Sequence, residues 1–92
     1  MNSQDKISLT VYYRVGCHLC DQMVASLGQL QGEMDFGFEL VDIDRHEELR
    51  KRHDVDVPVV ALDDEVLCCH FFDEESIRQA IEEHGRNQSP HP

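Results

Sequence analysis

The spacing of hydrophobic and polar positions changes along this chain and predicts strands alternating with helices. Residues 7–13 (Ile-Ser-Leu-Thr-Val-Tyr-Tyr) alternate and are rich in β-branched and aromatic side chains, which is typical of a strand. After Gly16 the apolar spacing becomes three and four residues, which predicts a helix over about 18–31. One face of this helix is apolar: Leu19, Met23, Val24, Leu27 and Leu30.

The middle of the chain predicts a second strand and a short helix. Alternation from Phe36 to Leu40, continued by Val41 and Ile43, indicates the strand. Asp44 is followed three residues later by Glu47, which is the spacing of a capping box. The helix is therefore expected to begin at Asp44 and to end near Arg52.

The last third of the chain predicts a hairpin and a final helix. Residues 57–62 and 65–70 are strand-like and are separated by a two-residue Asp63-Asp64 turn, so they should pair antiparallel. Asp73 is placed to cap a helix that Gly85 would end.

The predicted element order is strand-helix-strand-helix-strand-strand-helix, which is an α/β fold. The first two strands should be parallel through a right-handed crossover. A chain of 92 residues suffices for one domain with one core, here residues 1–92. Residues 86–92 contain two prolines and no apolar anchor, and are expected to form a disordered tail.

The charge of the chain excludes some classes of partner. Eight basic and nineteen acidic side chains give a formal net charge of −11, which repels nucleic acid and anionic membrane surfaces. No apolar run approaches the roughly 18–20 residues that span a bilayer, and the polar start of the chain shows no signal peptide. We expect a monomeric cytoplasmic protein.

Four cysteines lie in two tight groups, Cys17 with Cys20 and Cys68 with Cys69. Adjacent cysteines rarely make good structural disulfides, so a disulfide framework is disfavoured. Cys68 and Cys69 should lie on opposite faces of a strand, and one of them should be a core residue.

Cys17 and Cys20 lie where the first strand gives way to the first helix. A spacing of three places both sulfur atoms on one side of the first turn, close enough to form a disulfide. The free N–H groups and dipole of a helix N-terminus stabilise a thiolate, which is the nucleophile of disulfide exchange. Cys17 is then the attacking cysteine and Cys20 the resolving one. Half of a zinc site is the alternative, completed from Cys68, Cys69, His18 or His70.

Three segments together resemble the glutaredoxin-like family of the thioredoxin superfamily: residues 11–20, residues 41–44 (Val-Asp-Ile-Asp) and residues 57–59 (Val-Pro-Val). The resemblance covers about residues 7–84. It implies the thioredoxin fold, with a four-stranded mixed sheet in order 2-1-3-4 flanked by three helices.

The resemblance also implies a binding site around the cysteine pair. Pro58 would follow a cis peptide bond and face the cysteines, and the Val57 backbone would be free to pair with an extended chain. Arg14 lies where glutaredoxins often place a basic residue beside the glutathione carboxylate.

One segment departs from the family pattern. Glutaredoxins usually carry Gly-Gly-Asp before the last helix, where the γ-glutamyl end of glutathione binds, whereas this chain has His70-Phe71-Phe72-Asp73. Asp73 is retained, but bulky side chains stand where backbone must approach the ligand. Glutathione is therefore expected to bind weakly.

These observations predict a thiol–disulfide oxidoreductase that needs no cofactor or metal and acts on protein or small-molecule disulfides. Two alternatives remain open: a metal or iron–sulfur binding module that uses Cys17, and a non-catalytic adaptor that binds a peptide beside Pro58. The remaining histidines are expected to be solvated: His46, His53, His70, His84 and His91.

Overall fold

The fold is built on one sheet of four strands. In the computed structural model, which describes residues 7–87, these are β1 (Ile7–Tyr13), β2 (Phe36–Asp42), β3 (Val59–Leu62) and β4 (Glu65–Cys69). The spatial order is β2-β1-β3-β4. β1 pairs parallel with β2 and antiparallel with β3, and β3 pairs antiparallel with β4. The predicted mixed sheet and its order are confirmed.

Three α-helices flank the sheet, as predicted: α1 (His18–Leu30), α2 (Glu47–His53) and α3 (Glu74–Asn87). Leu9, Val11 and Val60 of the sheet belong to one buried cluster with Met23 and Leu27 of α1 and Ile77 and Ile81 of α3. The apolar face predicted for α1 supplies a large part of this core. None of the helices within residues 7–87 is long and apolar enough to cross a bilayer.

The end of α3 differs from the prediction. The helix continues past Gly85 to Asn87, because a glycine inside a helix costs only about 1 kcal/mol relative to alanine and does not force an end. Arg86 and Asn87, which were assigned to a disordered tail, are helical, and residues 88–92 of that tail lie outside the described part of the chain.

The link between β2 and α2 also differs. Residues Ile43–Arg45 form a 3₁₀ turn that is capped by Asp42, whose Oδ1 accepts a hydrogen bond from the Asp44 N–H at 2.9 Å. His46 is the N-terminal flanking residue of α2, and its side chain makes no capping hydrogen bond. The predicted cap at Asp44 is wrong, because that carboxylate is bound by Arg14 instead.

Candidate functional site

Three loops leave the sheet at the same end. Tyr12 of β1 pairs with Val59 of β3, and Val59 pairs with Cys69 of β4, so these residues form one row across the sheet. Beyond that row lie the segments 14–17, 55–58 and 70–73. The fold therefore gathers Arg14, Cys17, Val57, Pro58 and Asp73 at one end of the sheet, and Cys20 follows in the first turn of α1.

Cys17 and Cys20 form a disulfide at the start of α1, with their Cα atoms 5.1 Å apart. Cys17 is the N-cap in an extended conformation, and its Sγ accepts a hydrogen bond from the Cys20 N–H at 3.1 Å. Gly16 has φ +83°, which allows the turn into the helix. Cys17 is half-buried whereas Cys20 is only 2% exposed, so an incoming disulfide can reach the first sulfur more readily than the second.

The segment before β3 presents Val57 and Pro58. The bond between them is cis, as the resemblance implied. Pro58 is buried, and its carbonyl oxygen accepts a hydrogen bond from the His70 N–H at 2.9 Å. Within residues 7–87, the backbone N–H and C=O groups of Val57 make no hydrogen bond. They are therefore available to an external strand.

Arg14 is held by two aspartates. Its Nε and Nη2 donate to the two oxygens of Asp44, each at 3.0 Å, and Nη2 also donates to Asp54 Oδ1 at 2.7 Å. These bonds to Asp44 and then to Asp54 raise the pKa of Arg14, and the bond from Arg14 lowers the pKa of Asp44. The sequence analysis placed Arg14 at this site but missed both partners.

His53, at the end of α2, is buried and stacks on Tyr12 with the ring centroids 4.6 Å apart. The prediction that His53 is solvated is wrong, because its position at the end of α2 packs its ring against Tyr12 of β1. Burial lowers the pKa of His53, and the positive charge of Arg52 lowers it further, against an opposing effect of Asp56.

The buried His53 predicts that the fold loses stability as the pH falls below neutral. Because its pKa is lower in the folded state, the unfolded chain binds the extra proton first. The contribution of His53 to the free energy of unfolding is complete above the pKa of histidine in the unfolded chain, about 6.5. It is lost progressively as the pH falls from there toward the lower pKa of His53 in the folded protein. One such histidine changes the free energy of unfolding by at most about 1.4 kcal/mol per pH unit.

Urea unfolding between pH 7.5 and 5 measures this slope. His53→Phe, which keeps a ring against Tyr12, should flatten the slope in this range, and His46→Gln, at an exposed position, should leave it unchanged. An equal slope in wild type and His53→Phe would show that His53 does not link protonation to folding.

The connection between β4 and α3 combines a left-handed backbone with large side chains. His70 has φ +69°, a conformation that glycine adopts more readily, and the Phe71 side chain is 70% exposed. Asp73 caps α3 as predicted, since its carboxylate accepts hydrogen bonds from the Ser76 N–H at 3.2 Å and the Ser76 hydroxyl at 2.8 Å. The hydroxyl bond, followed by the backbone bond, lowers the pKa of Asp73.

Large apolar side chains are exposed in all three loops at this end of the sheet. Val15 is 75% exposed, Val55 78% and Phe71 70%. Sequence analysis considered Phe71 only as an obstacle to glutathione and gave Val15 and Val55 no role, although large apolar residues inside predicted turns beside Cys17 and Pro58 were a usable signal. We refer to Val15, Val55 and Phe71 as the apolar rim.

The second cysteine group lies beside this site but is not joined to the first. Cys68 is half-buried against the core and burial raises its pKa, whereas Cys69 is exposed, which confirms that the two lie on opposite faces. In the described part of the chain, no three His, Cys, Asp or Glu side chains are grouped so as to hold a metal ion. The geometry thus gives no support to a zinc site completed from this region.

Comparison with known proteins relates the chain to one family. The glutaredoxin-like domain family (DUF836) matches residues 8–82. The structure is similar to protein Ne2328 from Nitrosomonas europaea, with 41% identity, a TM-score of 0.75 and coverage of 87% of this chain and 98% of that chain.

A second solved structure, a protein from X. campestris, is 32% identical, with a TM-score of 0.65 and coverage of 82% of this chain and 96% of that one. Thioredoxin from Fasciola hepatica has a TM-score of 0.56 at 20% identity over 88% of this chain and 85% of its own, which shows a shared fold alone. No curated protein matches the chain.

Proposed function

Because this chain belongs to the glutaredoxin-like domain family, we propose that it is a thiol–disulfide oxidoreductase acting on protein disulfides. The observation that carries the proposal is the asymmetric Cys17–Cys20 pair, which closes a disulfide at a helix N-terminus with Cys17 half-buried and Cys20 almost fully buried. The Cys20 N–H bonded to the Cys17 sulfur is available to stabilise negative charge there in the reduced state.

The reaction requires two exchange steps. The Cys17 thiolate attacks one sulfur of a substrate disulfide, so that a mixed disulfide forms and the other substrate sulfur leaves as a thiolate, which takes up a proton. Cys20 then loses its proton and attacks Cys17, which releases the second substrate thiolate. Two electrons have passed from the protein dithiol to the substrate disulfide, and a dithiol reductant returns the pair to its starting state.

The surroundings of the pair favour a polypeptide substrate. The apolar rim offers contacts to side chains that flank a disulfide, and the unpaired Val57 backbone can add an extended segment as a short strand. A small disulfide would use neither feature fully. Protein disulfides are therefore proposed as the main substrates and small disulfides as secondary ones.

We further propose that the protein works as a monomer, without a cofactor, in a reducing compartment such as the cytoplasm. The free thiols of Cys68 and Cys69 are in keeping with reducing conditions. The formal net charge of −11 argues against nucleic acid or anionic membrane as a partner.

The reduction of insulin disulfides by dithiothreitol tests this function. Catalytic amounts of the protein should shorten the lag before the insulin B chain precipitates, because the dithiol exchanges faster than the small reductant. A Cys69→Ser variant should behave like wild type, since Cys69 is an exposed thiol outside the pair. A lag equal to that without protein would reject the oxidoreductase and leave the peptide-binding adaptor.

A further inference from the structure

We propose that Asp44 and Asp54 make the site discriminate against glutathione by keeping Arg14 occupied. This inference rests on the proposed function, because it names the substrates that the site admits: disulfides of polypeptides rather than those of a small dicarboxylate. We call Arg14, Asp44 and Asp54 the Arg14 cluster.

The hydrogen-bonding capacity of Arg14 is nearly used up within the cluster. A guanidinium has five N–H donors, and a carboxylate is best held by two of them side by side. Asp44 takes that paired arrangement through Nε and Nη2, each at 3.0 Å. Asp54 takes the rest of Nη2 at 2.7 Å, and its backbone oxygen takes one N–H of Nη1 at 3.3 Å. A single N–H remains, which cannot hold a second carboxylate in the paired arrangement.

The charge of the cluster acts in the same direction. One guanidinium faces two carboxylates, so the cluster as a whole is negative. Arg45 lies 3.8 Å from Asp42 and offsets that carboxylate instead. Within residues 7–87, Arg50 forms no ion pair with the cluster, and its effect on Asp44 is weaker than that of Arg14, so it offsets only part of the excess negative charge. A ligand that places a carboxylate here would meet repulsion as well as occupied donors.

The opposite side of the cysteine pair offers an anionic tripeptide no better partner. Both oxygens of Asp73 are bound by Ser76, and the segment before Asp73 carries His70 and an exposed Phe71. A polypeptide disulfide needs neither contact, since it can use the apolar rim and the Val57 backbone. The Arg14 cluster therefore acts as a specificity determinant and takes no part in the exchange itself.

Release of Arg14 should create affinity for glutathione. The oxidised protein is titrated with S-methylglutathione, which has no thiol and cannot exchange, and amide shifts are followed by NMR. Wild type should show no saturable shifts, and Asp44→Asn/Asp54→Asn should bind at least about tenfold more tightly, the gain expected when one charge-assisted hydrogen bond becomes available. Adding Arg14→Gln to the double variant should remove the gain.

A matched control separates this effect from overall charge. Asp63→Asn/Asp64→Asn removes the same two charges at the β3–β4 turn, at the far end of the sheet, and should bind no more tightly than wild type. The single variants Asp44→Asn and Asp54→Asn serve if the double variant does not fold, and each should give part of the gain.

Two results would overturn the inference: saturable binding by wild type with shifts at Arg14, or a double variant that binds no better than wild type and its charge-matched control. Binding of a ligand without a thiol does not depend on exchange. Failure in the insulin assay with a gain of affinity here would thus reject the proposed function and leave the role of the cluster standing.

Discussion

Cys17→Ser should reduce disulfide exchange to the uncatalysed rate, whereas Cys20→Ser should stop the cycle after its first step. The reason is the difference in position: Cys17 is the accessible N-cap of α1, and Cys20 is almost fully buried one turn later. Without Cys20, the mixed disulfide between Cys17 and the substrate has no internal thiol to resolve it. The insulin assay measures the loss of turnover, and mass spectrometry under non-reducing conditions detects the trapped adduct.

The trapped adduct distinguishes the roles of the two cysteines. Cys20→Ser should accumulate one substrate chain per protein, and Cys17→Ser should accumulate none. Cys68→Ser and Cys69→Ser are the controls, since neither sulfur belongs to the pair, and both should turn over like wild type. Adducts on Cys17→Ser instead of Cys20→Ser would mean that the attacking and resolving roles are reversed.

Local patterns were sufficient to predict most of the fold. The change of period after Gly16 located both β1 and α1, and Asp63-Asp64 located the hairpin turn, because each signal involves neighbours in sequence. Strand order is a property of the whole sheet and has no local signal. It was obtained from the family resemblance and is confirmed by the structure.

The partners of Arg14 could not be predicted in the same way. Asp44 and Asp54 lie 30 and 40 residues from it, so no periodicity links them. The spacing of Asp44 and Glu47 also indicated a local role for Asp44 as a helix cap. That interpretation was wrong, because the guanidinium of Arg14, just after β1, binds the Asp44 carboxylate. Long-range ion pairs of this kind are visible only once the sheet brings β1 next to the end of α2.

Two contacts from one end of β1 fix the loop that carries Val57 and Pro58. Tyr12 stacks on His53, and Arg14 binds the next residue, Asp54. Consecutive residues at the end of α2 are thereby tied to β1, close to where β1 leads into the cysteine turn. The arginine that we propose is withheld from glutathione thus also anchors the segment on which a polypeptide substrate would pair.

The packing of α1 against the sheet predicts a large loss of stability when its buried side chains are shortened. Leu27 lies on the buried face of α1, the helix that begins at the cysteine pair, and is fully buried in the core. Leu27→Ala therefore removes contacts with the sheet and leaves a cavity. Substitutions of this kind cost about 2–5 kcal/mol, and alanine keeps the helix propensity of leucine, so the loss reports packing alone.

Urea unfolding of the oxidised protein measures this loss, with the slope of the transition checked for each variant. Gln29→Ala, an exposed position on the same helix, is the control and should change the free energy of unfolding by less than about 0.5 kcal/mol. Equal stability of the two variants would mean that α1 is not held to the sheet by Leu27. At urea concentrations well below its unfolding midpoint, Leu27→Ala should retain disulfide exchange. The reason is that the cysteines lie at the other end of α1 from the new cavity.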